Sequence, residues 1–289
     1  MSRPASLLRL LYASVLVGVF FTGCDQPRQQ QQSDLPRIAS MVPAATDILL
    51  AIGAKEQLVA VSNYEPADSP VAGLPKVGDY TSVDVERLTA VRPTHIVVFV
   101  APDKLPAGLA ERTRRMGTTV MNIRTDTIRQ IEQAILLLSE AAGQRDSASK
   151  LSAFRNELAA IPKLKRQVRV LLAMGEGGAV IGNGGFLHEL LILVGAANAA
   201  GGIDSPYPTL DEEKLAALSP EVIIVLAPGV AAPQVADIKS KWKMRMNQGR
   251  SSASPVPQVI VLTDPRLLIS GYCVTQTARQ IADAIRQFE

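Results

Sequence analysis

Few residues in this chain can do chemistry, and the most suggestive come in matched pairs. Tyr80 and Tyr207 each stand directly before the start of a short helix, and Glu86 and Glu213 fall in the turn that follows, each about four residues past the expected cap, Ser82 or Thr209. A ring at the carboxyl end of the preceding segment can flank a flat, partly apolar ligand. A first-turn carboxylate favours the helix macrodipole by about 0.3–1 kcal/mol, or it can meet a cationic partner. Tyr64, in SNYEP, is a third candidate ring, and for each tyrosine simple packing beneath a loop is the alternative. Arg266, in TDPRLLISGYC before the last helix, can pair with a carboxylate or catecholate or stay solvated. The two histidines, His95 and His188, lie far apart and no acid completes a ligand spacing, which argues against a bare zinc or manganese site. The glycine-rich GEGGAVIGNGG lacks the Lys-Ser/Thr ending of a phosphate loop and has no G-x-G-x-x-G register. With no G-x-S-x-G elbow, no H-E-x-x-H and no Cys/His pair, the chemistry left is binding rather than catalysis.

Such residues need a scaffold, and the chain encodes one twice. YTSVDVERLTAVRPTHIVVF (80–99) matches YPTLDEEKLAALSPEVIIVL (207–226) at eight of twenty positions, where ordinary usage gives about one or two. Upstream, in the same order, TDILLAIGA (46–54) pairs with HELLILVGA (188–196). Each half alternates buried-strand runs, such as HIVVFV, VIIVL (222–226) and QVIVL (258–262), with amphipathic segments. Thr127 and Gln130 have capping-box spacing, and Gly143 closes the helix that they start. The expected fold class is therefore α/β: two related lobes with central parallel sheets, 37–143 and 167–289, and a ligand cleft between them. Leu151, Phe154, Leu158 and Ile161 at helical spacing predict a single long helix over 144–166 that joins the lobes and permits only modest opening.

The N-terminus has a secretory layout over residues 1–23: Arg3 and Arg9 flank an apolar run, Leu10 to Phe21, that is shorter than the ~20 residues needed to span a bilayer. Phe21-Thr22-Gly23-Cys24 resembles a bacterial lipobox, which makes Cys24 the lipidation site, and Asp25 resembles a signal for retention at the inner membrane. Residues 24–36, rich in glutamine, read as a disordered tether. Cys273 is then the other cysteine, a small buried hydrophobe with no disulfide partner. Loss of Arg3 and Arg9 leaves 28 basic against 27 acidic residues, a balance that argues against a nucleic-acid partner.

Two α/β lobes, a joining helix and a lipidated cysteine resemble the substrate-binding proteins of ABC importers for iron chelates and cobalamin. RIASMVPAATDILLAIGAKEQLVAVSNY, LPKVGDYTSVDVERLTAVRPTHIVV, FLHELLILVGAAN and SPYPTLDEEKLAALSPEVIIV carry the likeness, which runs from about Arg37 to Glu289. It implies a monomeric receptor at the periplasmic face of the inner membrane, with an ABC permease dimer and its ATPase as partners and no cofactor of its own. It also implies permease docking through Glu86 and Glu213, and a cargo of cobalamin, ferric siderophore or haem. Ligand contacts are expected at Tyr64, Tyr80, Tyr207, Arg266 and Tyr272. Many members carry Pro-Arg where this chain has Tyr272-Cys273, so an anion partner is missing there. A sensing or structural lipoprotein that no longer transports is the rival reading.

Overall fold

The computed structural model describes residues 35–79, 82–101, 104, 107–248 and 256–288. Cys24 and Tyr80 lie outside them. The first half runs β1 (Ile38–Ser40), α1 (Pro43–Ala51), β2 (Leu58–Ala60), α2 (Val85–Ala90), β3 (His95–Val98), α3 (Ala107–Met116), β4 (Thr119–Asn122) and α4 (Ile128–Ala141). After α5 (Ser147–Ala159), the second runs β5 (Arg169–Met174), β6 (Ala179–Val180), α6 (Phe186–Leu193), β7 (Ala197–Asn198), α7 (Glu212–Ala217), β8 (Val222–Leu226), α8 (Ala232–Asn247), β9 (Gln258–Leu262) and α9 (Val274–Arg286). The first sheet has the parallel order β2-β1-β3-β4. In the second, β7, β5, β8 and β9 pair in the same parallel order, with β6 added antiparallel to β5.

The duplication thus survives in topology, and it survives in backbone detail. Arg92 and Ser219, equivalent in the repeat and each before a proline, share left-handed φ values of 42° and 45°. Each sits between a short helix and the lobe's central strand, a sharp reversal that an L-residue adopts only under constraint.

Strand periodicity decides which face goes where. In β8, Val222, Ile224 and Leu226 enter one core, whereas Ile223 and Val225 face Trp242 and Ile238 of α8 in another. In the first sheet Ile38 and Val97 join the same large core as Val222, while Ala39, Ile96 and Val98 pack with Leu88 and Leu109. The large core is shared by both halves, and α4, α5, α6 and α9 all contribute to it. Wide separation of the halves would expose this shared apolar surface, which opposes large hinge motions.

Two differences from the sequence reading have local causes. The joining helix is α5, thirteen residues rather than the whole of 144–166, because Pro162 disfavours helical geometry in the residue before it. The caps of α2 and α7 are Asp84 and Asp211, not Ser82 and Thr209; their carboxylates accept from the amides of Arg87 and Lys214 at 3.0 and 2.9 Å. The glycine-rich segment forms a turn between strands, as its composition implies, with Gly175 and Gly178 at positive φ and the chain folding back as β6. The α4 capping box and the Gly143 closure form as read.

Candidate functional site

Two features at the junction of the lobes can hold a ligand. The first is a cavity of about 570 Å³ between α1 and the 65–70 segment on one side and the loop from β9 into α9 on the other. Arg266 and Tyr272 line it together with Asp47, Glu65, Asp68 and Gln276, so two of the sequence-predicted residues meet there. Tyr64 adjoins it in sequence, 58% exposed. The second is the contact of Tyr207 with the other lobe. Its hydroxyl would lie 3.4 Å from a Cβ at Gly185, and the Asp126 carbonyl comes as near as 3.8 Å to that position. Gly185 holds φ 77° there, a backbone conformation in which an L-side chain would be strained. Burial and then the Asp126 charge push the Tyr207 phenol up. Tyr207 therefore stands apart from Arg266 and Tyr272.

Several of the polar groups in the cavity are held by named partners. The Arg266 guanidinium donates to Gln276 Oε1 at 2.8 Å, and its Nε lies 3.5 Å from Asp264 Oδ1. Asp264 also accepts from Gln276 and Gln280 at 3.1 and 2.9 Å. Burial works against ionisation of Asp264, yet the Arg266 amide, Gln280 and the guanidinium hold its carboxyl below the usual range. Tyr272 donates to Glu157 Oε1 at 3.1 Å and meets Phe154 edge-on, with centroids 5.1 Å apart. Burial and the Glu157 charge push the Tyr272 phenol up to about 12. It therefore offers the cavity a ring rather than a phenolate. Burial, with Asp47 beside it, pushes the Cys273 thiol up as well, so it is protonated and inert.

The acidic wall was missed in the sequence. Asp47 accepts from the Cys273 amide at 2.8 Å. Burial pushes its carboxyl up, against the pull of the Cys273 donors and Arg266. Burial also pushes Glu65 up, opposed by the nearby Ser69 and Thr46 hydroxyls and reinforced by Asp47; its Oε2 is buried without a hydrogen bond of full geometry. The signal for Asp47 was the acid shared by TDILLAIGA and HELLILVGA in otherwise apolar segments. Glu65 had none.

These shifts have a sign. Asp47 and Glu65 bind protons more tightly folded than unfolded, so the stability they allow is fully present below the ordinary carboxylate range and is lost as pH rises through their raised values. Glu65→Gln is therefore expected to melt higher than the native chain at neutral pH, with the gap closing near about pH 4. Melting curves across pH check this, and a gap that does not vary with pH would assign the effect to packing.

The imidazoles have structural duties. His188 Nδ1 lies 3.0 Å from Asn198 Nδ2, and His95 Nδ1 lies 2.9 Å from Thr94 Oγ1. Glu86 and Glu213 occupy the same position, second in α2 and α7, and both are exposed.

Residues 38–248 match the family model described as Periplasmic binding protein. A vitamin B12-binding protein of Vibrio cholerae is 26% identical over 204 residues, 68% of this chain and 72% of that protein. Among solved structures, the periplasmic haem-binding protein HutB of Vibrio cholerae superposes with a TM-score of 0.72 at 22% identity, covering 86% of this chain and 98% of that one. The periplasmic vitamin B12-binding protein BtuF of Vibrio cholerae does so at 0.63 and 23%, covering 88% and 99%. At these identities the superpositions speak to the fold.

Proposed function

The chain belongs to the periplasmic binding protein family, and from that premise we propose that it is the solute receptor of an ABC importer, with a corrinoid such as cobalamin as its cargo. It binds and hands over its ligand without transforming it. The observation that carries the reading is the cavity built by both lobes, with the Tyr272 ring and the Arg266 guanidinium facing the carboxyls of Asp47 and Glu65. A corrin rim rich in neutral amides can donate to carboxylates and accept from a guanidinium. A haem or catecholate siderophore brings negative charge to a wall that already holds Asp47, Glu65 and Asp68. The vitamin B12-binding relatives support the same choice. Family membership implies an extracytoplasmic setting; lipidation at Cys24 and the 24–36 tether would hold the receptor, as a monomer, beside the permease dimer and its ATPase at high local concentration. Among the described residues no helix is long and apolar enough to cross a membrane.

Thermal unfolding of the detergent-solubilised chain with cobalamin, haemin and ferric siderophores tests the cargo. Cobalamin at ~100 times its dissociation constant is expected to stabilise the fold by about 2.7 kcal/mol, with a change in its absorbance spectrum. Haemin as the sole responder would make this a haem receptor, with Tyr80 as its first candidate ligand to iron. No responder at all would favour the sensing or structural lipoprotein.

A further inference from the structure

Three polar contacts among the described residues tie the two lobes, and they obey the internal repeat. Asp47 in α1 and Glu189 in α6 are equivalent: each belongs to the first helix of its lobe, and those helices close at Gly53 and Gly195 with φ of 82° and 89°. Asp47 Oδ2 accepts from the Cys273 amide, 2.8 Å away at the start of α9. Glu189 Oε2 accepts from the Ile128 amide, 2.6 Å away at the start of α4. The receiving helices are equivalent too, each following the last strand of its own lobe. Midway in the arrangement, Thr125 Oγ1 and Ser270 Oγ, from the loops that lead into α4 and α9, meet at 2.8 Å.

Each arm fills a need at the helix it reaches. At α9 the amides of Val274, Thr275 and Gln276 find backbone acceptors at Gly271, Tyr272 and Cys273, and that of Cys273, the residue before the helix, is left for Asp47. At α4, Thr127 and Gln130 satisfy two amides and leave that of Ile128 for Glu189. The approach of α1 to α9 is close enough that a Cβ at Gly271 would stand 2.5 Å from Asp47 Oδ2 and 3.0 Å from the Ala44 carbonyl oxygen. The carboxyls also sit at the positive ends of helices of fourteen and thirteen residues.

We propose that Asp47 and Glu189 are paired positioning residues, a reciprocal clasp in which each lobe's first helix holds the start of the other lobe's last helix and so sets the width of the cleft. The arms are unequal in one respect: Asp47 lines the 570 Å³ cavity and Glu189 does not, so cargo meets the clasp on one side only. The clasp does not depend on what the cargo is.

Amide hydrogen exchange of the full chain, resolved by residue, tests it. First-turn amides ordinarily exchange fast, and those of Cys273 and Ile128 are expected to be protected. Asp47→Ala is expected to speed exchange at Ile128, across the molecule, as well as at Cys273, each by about tenfold or more. Glu189→Ala should do the reverse, and Asp47→Asn, which keeps an acceptor, should restore most of the protection. If Asp47→Ala does not fold, Gly271→Ala serves instead, since it pushes the same arm outward. Exchange that rises only at the amide next to the substituted residue would reduce both carboxyls to local caps and overturn the clasp.

Discussion

Glu86→Ala combined with Glu213→Ala is expected to reduce cargo uptake by whole cells to background while leaving affinity for the cargo unchanged. The geometry favours this over a capping role. Asp84 and Asp211 already supply the side-chain caps of α2 and α7, so the glutamates are not needed for that bond. Both are exposed at the same position of equivalent helices, one on each lobe, which suits two matching sites on a permease dimer. The neighbouring acids are engaged within the chain: Glu212 lies 3.3 Å from Arg245, Asp84 3.2 Å from Arg87, and Asp211 3.1 Å from Lys214. Removing the two glutamates takes away macrodipole terms of about 0.3–1 kcal/mol each, too little to unfold the chain. Each exposed ion pair with the permease would contribute only about 0–1 kcal/mol, so the pair sets register and permits release rather than binding tightly. Uptake and equilibrium binding measured on the same variant separate docking from capture. Undiminished uptake would remove the docking role.

Trp242→Ala is expected to cost about 3–5 kcal/mol of stability from lost packing, with part of a further 1–3 kcal/mol from the Gly175 carbonyl left unpaired. Trp242 is 1% exposed, and its indole Nε1–H donates to that carbonyl at 2.8 Å. With Ile238 and Met246 it forms the stripe of α8 that packs on Ile223 and Val225 of β8, and the bond to Gly175 anchors the glycine turn to the same helix. Trp242→Phe keeps most of the apolar area and is expected to recover more than half of the loss. Urea unfolding followed by circular dichroism is the measurement, because the chain has a single tryptophan and the variants lose their fluorescence. A loss below about 1 kcal/mol would mean that the core around α8 collapses to fill the space.

The class of fold, the duplication and most elements were legible in the sequence. The runs at 222–226 and 258–262 became β8 and β9 with the bounds their residues suggested. The box at Thr127 formed as its spacing implied. These features depend on interactions within a few residues, or on a period of two or 3.6 that the chain itself displays. Where the reading slipped, a second local device was stronger: aspartates outcompeted Ser82 and Thr209 as caps, and Pro162 ended the joining helix.

The site obeys different rules. The sequence by itself determined two α/β halves and the pairing of Glu86 with Glu213. Only the tertiary structure decided that Arg266 and Tyr272 share a cavity with Asp47 and Glu65 while Tyr207 faces Asp126 elsewhere. It also decided that Asp47 reaches an amide 226 positions away in the chain. Burial, which sets the proton affinity of these carboxyls and lets a single hydrogen bond tie two lobes, is a property of the packed whole. No pattern of neighbours along the chain carries it.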